Sequence, residues 1–351
     1  MALPPAPGDR PVTALRESVR AATLVLAEAG VASAPVNALV LAAHALGVDV
    51  SEARRLLVLG GVATPIGYAA LVAERARRVP LQHLTGEAHF RGLTLRVGPG
   101  VFIPRPETET LVSHAVDALD SVDGVEVLGR RPARHDGPSS GAAPVPLVVV
   151  DLCTGSGAIA LSLKAERPQV RVAAVEVDPL AHGWAVANRD RLGLDVEMRL
   201  GDARAAYPEL TGTVDVVTCN PPYIPDDQVP VDPEVRDHDP ALALYGGSAD
   251  GLALPLAMAA GAAGLLRPGG VLVMEHADVQ GPALLRALAA TGRWSEATDY
   301  PDLTGRPRVV VARRAGGVAG SSDPSDPSDP SDPSPADRAD RADRADLGFP
   351  T

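Results

Sequence analysis

Hydrophobic residues recur at helical spacing through the first part of the chain. The first such series is Leu15, Val19, Ala22 and Leu26. This spacing predicts an amphipathic helix that stops near Gly30. Similar patterns predict further helices over residues 37–46, 53–59 and 68–78. Gly47 is expected to end the helix 37–46, and Ser51 is expected to cap the helix that continues through 53–59. Residues 12–84 are therefore expected to form a small helical domain.

The pattern changes to short alternating runs between glycines over residues 84–103. The run from Leu93 to Val97 is typical, and it predicts a β-hairpin within a linker at 85–105. Pro106 then marks the first turn of a helix that is expected to run to about Leu119. Residues 121–145 are rich in Gly, Pro, Arg and Ser, which predicts a flexible insertion.

From residue 146 onward, apolar runs typical of buried strands alternate with helical patterns. The predicted strands are 147–150, 170–175, 196–200, 214–219, 270–275 and 308–312, and the predicted helices are 159–164, 182–192, 252–266 and 280–291. Strict alternation of this kind predicts an α/β fold with a doubly wound, mainly parallel sheet. We assign this domain to residues 106–314.

Both ends of the chain have a composition typical of disorder. Residues 1–11 are rich in proline. Residues 322–333 repeat Ser-Asp-Pro four times, and residues 336–344 repeat Ala-Asp-Arg three times. Such segments cannot bury enough apolar area to offset the entropy of ordering, so we expect a disordered start and a disordered acidic tail at 315–351.

Composition and charge indicate the cellular compartment of the protein and which classes of partner it binds. The net charge of −12 and pI of about 5.1 argue against a nucleic-acid partner, because phosphate binding needs a basic surface. Two cysteines do not form a secreted disulfide framework, and the first thirty residues lack a signal-peptide pattern. The longest uncharged apolar run, 251–266, is too short to span a bilayer. We expect a cytoplasmic protein without a membrane partner, and a monomer by default.

The first motif with chemical meaning follows the strand at 147–150. It reads Asp-Leu-Cys-Thr-Gly-Ser-Gly-Ala-Ile-Ala over residues 151–160. Its glycines allow a sharp turn into a helix whose free N–H groups face a negative ligand group. Glu176 ends the next strand, 19 residues after Gly157, where dinucleotide-binding folds place the acid that holds a ribose. The pattern fits NAD or S-adenosylmethionine, and Asp151 with the Thr-Gly-Ser-Gly form favours the latter.

The second motif, Asn-Pro-Pro-Tyr at 220–223, follows the strand 214–219 and is expected at the carboxyl edge of the sheet. Two prolines restrict the backbone, so the Asn220 side-chain oxygen and the Pro221 carbonyl are pre-aligned as two acceptors. Two acceptors suit an NH2 group, and Tyr223 supplies a flat wall. Holding both N–H bonds aims the lone pair of a poor amide or exocyclic nitrogen at a methyl donor. A bare proline-rich turn is the structural alternative.

Together these segments resemble the HemK/PrmC family, the glutamine-N5 methyltransferases of peptide-chain release factors. The likeness spans roughly residues 12–314 and is carried by residues 80–86, 102–109, 151–160, 220–225, 234–236, Gly251 and 266–276. It implies a helical substrate-recognition domain, a β-hairpin linker, and a Rossmann-like S-adenosylmethionine methyltransferase domain with an antiparallel last strand. It also implies methylation of the glutamine in the Gly-Gly-Gln loop of class I release factors, which modulates translation termination.

The resemblance also implies site residues. The expected cofactor site is Asp151, Cys153, Thr154, Gly155, Ser156, Gly157, Glu176, Asp202, Ala203 and Asn220. The expected substrate site is Asn220, Pro221, Pro222, Tyr223, Phe102 and Arg105, with Asn220, Pro221 and Tyr223 serving the chemical step. Two departures stand out: Cys153 replaces a common glycine, and Ala203 replaces an aromatic residue of some members. The insertion and the acidic tail lie outside the family pattern.

Histidines and a cluster of arginines outside the two motifs have simpler structural interpretations. The four histidines His83, His89, His238 and His276 lack metal-ligand spacing, so no metal site is expected. Arg75, Arg77 and Arg78 are interpreted as a solvated helix face, with contact to a release factor or ribosomal RNA as the alternative. The rival functions are an adenine-N6 nucleic-acid methyltransferase, which shares both motifs but needs a basic recognition domain, and a non-catalytic protein that keeps the fold.

Overall fold

A computed structural model of the chain describes residues 14–127 and 145–316. The predicted disordered start, the acidic tail and most of the predicted insertion lie outside the described residues, and those predictions stay as they were made.

Five helices form the first part of the described chain: α1 (Leu15–Glu28), α2 (Ala34–Leu46), α3 (Val50–Leu59), α4 (Tyr68–Ala76) and α5 (Leu81–Thr85). Their buried side chains, Leu26 and Leu41 among them, share one apolar cluster. Asp49, not Ser51 as predicted, caps α3, because its side chain accepts a hydrogen bond from the Glu52 N–H at 2.8 Å. Helix α5 was not predicted, since five residues are too few to show a helical period.

A hairpin and a long helix join the helical part to the sheet. The hairpin strands are β1 (Glu87–Phe90) and β2 (Leu93–Arg96), paired antiparallel. After a 3₁₀ turn at Pro106–Thr108, α6 runs over Glu109–Val127. It therefore extends past Leu119, and the predicted insertion starting at 121 begins too early. No proline interrupts the helix before Pro132, and a single internal glycine costs only about 1 kcal/mol.

The large sheet has seven strands: β3 (Val148–Leu152), β4 (Arg171–Glu176), β5 (Val196–Leu200), β6 (Val214–Cys219), β7 (Leu266–Glu275), β8 (Trp294–Pro301) and β9 (Pro307–Arg314). Their order is β5-β4-β3-β6-β7-β9-β8. Strands β3 to β7 are parallel, and β9 and β8 pair antiparallel. The prediction of a doubly wound, mainly parallel sheet with an antiparallel last strand is confirmed. Strand β8 was missed because this edge strand is mostly polar and exposed.

Helices cover both faces of this sheet. They are α7 (Ala158–Glu166), α8 (Pro179–Leu192), α10 (Ala253–Leu265) and α11 (Gly281–Ala290), with α6 before them. The short helix α9 (Pro233–His238) lies in the segment between β6 and α10. Adjacent strand residues point to opposite faces: Val149 packs in the cluster with Leu111, and Val150 in the cluster with Met258. The chain runs outward from β3 to β5 and then returns to β6 on the other side of β3. This reversal opens a crevice at the carboxyl ends of β3 and β6, where open α/β sheets bind ligands.

Over the described ranges, none of the helices taken singly combines the length and apolarity that a bilayer crossing needs. Helices α2 and α3 reach the required length and apolarity only when they are counted together, and the chain bends by 96° between them. The apolar side of α2 packs into the cluster of the helical domain.

Candidate functional site

A cavity of about 460 Å³ opens at the carboxyl ends of β3, β4 and β6. This volume is within the range of small-molecule sites. Twelve of the sequence-predicted site residues line it: Phe102, Arg105, Cys153, Thr154, Gly155, Ser156, Glu176, Asp202, Ala203, Asn220, Pro222 and Tyr223. The lining does not include Asp151, Gly157 or Pro221, although Pro221 lies between the lining residues Asn220 and Pro222.

The glycine-rich turn after β3 is held in a conformation that few residue types adopt. Cys153, Gly155 and Gly157 all have positive φ angles, of 59°, 57° and 84°. Cys153 therefore occupies a left-handed position where a non-glycine residue costs roughly 1–2 kcal/mol. At Gly157 a Cβ atom would lie 2.9 Å from Leu161 Cδ1. The turn thus brings backbone close to the cavity, as the sequence motif predicts.

Asp151 supports this turn from beneath. Its side chain is fully buried and accepts hydrogen bonds from the Thr154 hydroxyl at 2.6 Å and the Thr218 hydroxyl at 2.7 Å. Burial raises the pKa of Asp151 to about 7, against the lowering effect of those two hydroxyls. Its carboxylate therefore ties the ends of β3 and β6 together and does not face the cavity.

Glu176 closes the turn from the side of β4. One carboxylate oxygen accepts from the Gly155 N–H at 2.8 Å, and the other accepts from the Val177 and Asp178 N–H groups at 2.9 and 3.0 Å. A carboxylate has about four acceptor positions, so one remains for a ligand hydroxyl. Glu176 is 8% exposed and lines the cavity. It can hold the backbone turn and a ligand at once.

The segment after β5 forms another part of the wall. Asp202 accepts from the Arg204 backbone N–H at 2.9 Å and pairs with the Arg204 guanidinium. The hydrogen bonds from that guanidinium lower the pKa of Asp202. Ala203 is buried and presents only a methyl group, so this wall offers an apolar surface and no stacking ring.

The Asn-Pro-Pro-Tyr segment follows β6 directly. The Asn220 Nδ2 donates to the Thr108 hydroxyl at 3.4 Å. The Tyr223 hydroxyl donates to Glu275 Oε1, also at 3.4 Å. Burial raises the pKa of Tyr223, and the charge of Glu275 raises it further, so the phenol stays neutral at physiological pH. Tyr223 therefore presents a neutral ring to the cavity.

The backbone of this motif is fixed by the chain that follows it. The Gln280 Nε2 donates to the Tyr223 carbonyl at 2.8 Å and to the Asp250 carbonyl at 2.8 Å. Gly251 lies against the same carbonyl: a Cβ there would come within 2.1 Å of the Tyr223 oxygen, and its φ is +70°. The close contact explains why glycine follows Asp250.

Arg105 and Phe102 cover the cavity from the linker. The guanidinium of Arg105 lies 5.0 Å from the centre of the Phe102 ring and pairs with the Asp239 carboxylate at 2.6 Å. The Asp239 side chain is fully buried in this pair. Arg105 is thus bound to the segment between β6 and α10 through Asp239, a partner that the sequence did not predict.

The predicted solvated face of α4 is wrong for two of its three arginines. Arg75 is buried and donates to Asn37 Oδ1 at 2.8 Å and to Glu234 Oε1 at 2.7 Å. Arg78 pairs with Glu234 through two nitrogens. Only Arg77 is exposed as predicted, in a surface pair with Glu74. Because Glu234 opens α9, these bonds tie the helical domain to the segment beside the cavity.

The sequence missed several cavity residues. Thr108, the segment 242–244 and Val235 line the cavity, and Glu275 lies buried beneath Tyr223. Thr108 lies in the stretch 102–109 that carries the family resemblance, three residues after the predicted site residue Arg105. The long interval between the predicted strand 214–219 and the helix 252–266 was the signal for the rest, because long loops in compact domains are commonly functional.

Cysteine and metal chemistry find no support in the part of the chain that the structure describes. Cys219 is fully buried beside Cys153, and burial raises the pKa of its thiol well above the ordinary value. No group of three or more His, Cys, Asp or Glu side chains within 14–127 and 145–316 has the arrangement of a metal site.

Two family models match this chain. The model described as "Methyltransferase small domain" matches residues 144–232, which contain the turn after β3 and the Asn-Pro-Pro-Tyr segment. The model described as "PrmC N-terminal domain" matches residues 17–86, which contain α1 to α5.

Curated relatives are similar over nearly their whole length. The "Release factor glutamine methyltransferase" of Streptomyces coelicolor is 46% identical over 302 residues, covering 86% of this chain and 98% of that protein. The protein of the same name from Mycolicibacterium smegmatis is 46% identical over 308 residues, covering 86% and 99%. A solved protein-(glutamine-N5) methyltransferase (release factor-specific) from Alicyclobacillus acidocaldarius is 26% identical, covers 63% of this chain and 99% of its own, and has a TM-score of 0.36.

Proposed function

The chain belongs to the family of release factor glutamine methyltransferases, and from that premise we propose that its cavity holds S-adenosylmethionine next to a release-factor glutamine. The activity of the protein is transfer of a methyl group to the side-chain amide nitrogen (N5) of that glutamine. We place the glutamine in the Gly-Gly-Gln loop of class I release factors.

The residues around the cavity fit S-adenosylmethionine. The Glu176 carboxylate keeps acceptor capacity for ribose hydroxyls, and the positive-φ turn at 153–157 leaves room for the methionine part. The N-terminus of α7 favours a ligand carboxylate. Ala203 and Ile159 supply apolar walls for the adenine ring. When bound, the group supplies an activated methyl.

The single observation that carries the proposal is the orientation of Asn220. Its Nδ2 is directed at Thr108, and within the described residues no hydrogen bond reaches its Oδ1. That oxygen is free to accept one N–H of the substrate amide, and the Pro221 carbonyl accepts the other. Both N–H bonds are then held, and the nitrogen lone pair is aimed at the methyl carbon. Orientation of this kind accounts for several kcal/mol of a reaction barrier.

Asn220 and Pro221 also stabilise the positive charge that develops on the substrate nitrogen. As the nitrogen–carbon bond forms, the sulfur–carbon bond breaks and its electron pair stays on sulfur, while the nitrogen becomes positive and then releases one proton to solvent. The Asn220 oxygen and the Pro221 carbonyl direct their negative ends at that nitrogen and stabilise its charge. Tyr223 packs against the planar amide.

The test is a methyl-transfer assay with labelled S-adenosylmethionine. The purified full chain is given a release factor, the same factor with its loop Gln→Ala, and duplex DNA in separate reactions. We expect label on the intact factor alone, at the glutamine side chain by mass spectrometry. Label on DNA instead would show that Asn220 and Tyr223 hold adenine, and label on both factors would place the modified residue elsewhere.

Replacing Glu176 by alanine is expected to weaken S-adenosylmethionine binding about tenfold or more. The change leaves the Gly155, Val177 and Asp178 N–H groups without their acceptor and removes the proposed ribose contact, and each such loss costs about 1–3 kcal/mol. Calorimetric titration with S-adenosylmethionine measures it.

The exposed Glu197→Ala variant, on the neighbouring strand β5, is the matched control and should bind as wild type. Equal affinity of the Glu176→Ala variant and wild type would remove Glu176 from the site.

A further inference from the structure

A chain of polar groups leads from Asn220 along the cavity wall to the buried Glu275. The Asn220 Nδ2 lies 3.4 Å from Thr108 Oγ1, and the Tyr223 hydroxyl lies 3.4 Å from Glu275 Oε1. The Thr108 hydroxyl lies close enough to the Glu275 carboxylate to lower its pKa, and Glu275 Oε2 has no hydrogen-bond partner among the described residues. Thr108 is 4% exposed and Glu275 is 2% exposed. Neither residue is part of the two sequence motifs, and both are buried at the reacting end of the site.

The direction of each hydrogen bond follows from what each group can do. An ionised carboxylate only accepts, so Glu275 Oε1 takes the hydrogen of Tyr223, and the unpartnered Oε2 is open to the hydrogen of Thr108. A threonine hydroxyl has one hydrogen, and once it is given to Glu275 the oxygen can only accept from Asn220. The Asn220 side chain must then turn its NH2 toward Thr108 and its oxygen toward the cavity. Such bonds are often long before the substrate binds and shorten in the complex.

We propose that Thr108 and Glu275 are positioning residues that fix the direction of the Asn220 amide, so that its oxygen faces the substrate glutamine. This inference rests on the proposed function and explains what directs the acceptor oxygen of Asn220 toward the substrate. An asparagine amide has nearly the same shape in both orientations, so shape alone does not choose between them. In the reversed orientation the Asn220 NH2 would face the NH2 of the glutamine, and both would lose a partner.

The charge state of Glu275 controls this device. Burial raises the pKa of Glu275 to about 7, although the bonds from Thr108 and Tyr223 and the charge of Arg308 lower it. The titratable and charged groups facing it come from three directions: Glu107 before α6, Tyr223 and Cys219 at the end of β6, and Arg308 on β9. Above this value the carboxylate accepts from Thr108. Below it the acid has a hydrogen of its own to donate, Thr108 can donate to Asn220, and the reversed orientation becomes available.

The first test compares Thr108→Val with Thr108→Ser. Valine keeps the shape of threonine without the hydroxyl, so we expect kcat for release-factor methylation to fall about tenfold, which is one lost orienting hydrogen bond. Serine keeps the hydroxyl and is expected to stay within about threefold of wild type. Affinity for S-adenosylmethionine, measured by calorimetry, should be the same in both variants. Wild-type kcat in Thr108→Val would overturn the proposal.

The second test is the pH profile of kcat. In wild type, kcat should fall as the pH drops through about 7, because the carboxylate form of Glu275 is lost. In Glu275→Gln, kcat at pH 8 should be lower and this acid limb should disappear, and Glu275→Gln with Thr108→Val should be no slower than the slower single variant. An acid limb that persists in Glu275→Gln overturns the proposal, even if Thr108→Val fails to fold.

Methylation of the release factor by the wild-type protein tests the proposed function, and its absence would overturn that function. If the wild-type protein methylates the factor but the variants react at the same rate, only the roles of Thr108 and Glu275 are wrong.

Discussion

Replacing Asn220 by alanine is expected to lower kcat for release-factor methylation by roughly 10²–10³-fold, the loss typical of removing one preorganised polar group from a reacting centre. The variant loses the Oδ1 acceptor, so one N–H of the substrate amide is no longer held and the lone pair is no longer aimed. Binding of S-adenosylmethionine should change far less, because the Glu176 carboxylate and the turn at 153–157 are untouched. Single-turnover kinetics with labelled cofactor measure kcat, and calorimetry measures cofactor affinity.

The matched control is Gln169→Ala. Gln169 also has an amide side chain, but it is exposed just before β4, at the opposite edge of the sheet. Its removal should leave both measurements unchanged. If Asn220→Ala methylated the factor at the wild-type rate, the two-acceptor mechanism would be wrong. If it lost rate and cofactor affinity in equal measure, Asn220 would act in cofactor binding instead.

Much of this site was predictable because its residues lie next to strong local signals. The turn at 151–157 follows an unbroken apolar strand, and Asn220 follows another, so the topology of a parallel sheet places both at one edge. For that reason ten of the twelve predicted residues in the cavity wall end or follow the strands of this sheet; the other two, Phe102 and Arg105, come from the linker. The roles of those residues in binding and catalysis remain proposals that the experiments above address.

What the sequence did not reveal depends on contacts between distant segments. Thr108 and Asn220 are 112 positions apart, and nothing in either local pattern states that a hydroxyl lies under the amide. Arg75 was interpreted as solvated because a charged residue on a short helix usually is. Its burial follows from Asn37 and Glu234, one on α2 and the other 159 positions away. Hydrophobic periodicity reports which face is apolar and carries no information on such partners.

Replacing Glu234 by alanine is expected to destabilise the protein by about 3 kcal/mol. The Glu234 side chain is 12% exposed and accepts from Arg75, which is 7% exposed, and from Arg78. Removing it leaves a buried guanidinium without its countercharge, and breaking such a pair typically costs about 3–5 kcal/mol. We take the lower end because Arg78 is partly solvated. Chemical denaturation of the full chain, followed by circular dichroism, measures the loss.

The pH dependence of this loss follows from the charge of Glu234. Burial alone would raise its pKa, but hydrogen bonds from Arg78 and Arg75 outweigh burial and hold the pKa of Glu234 far below its ordinary value. A group with a lowered folded-state pKa contributes stability above its unfolded pKa, which is about 4.3 for glutamate. The difference between wild type and Glu234→Ala should therefore be constant from about pH 8 to pH 5 and should shrink only in stronger acid.

Arg77→Ala provides the matched control for this prediction. Arg77 lies on the same turn as Arg75 and Arg78 and pairs with Glu74, but both partners are exposed, at 67% and 42%. Exposed pairs contribute about 0–1 kcal/mol because water and salt screen them. A large loss in Glu234→Ala beside a small loss in Arg77→Ala would show that burial gives the Arg75–Glu234 pair its effect. Equal small losses would mean that the helical domain is held to the cavity segment by its apolar contacts alone.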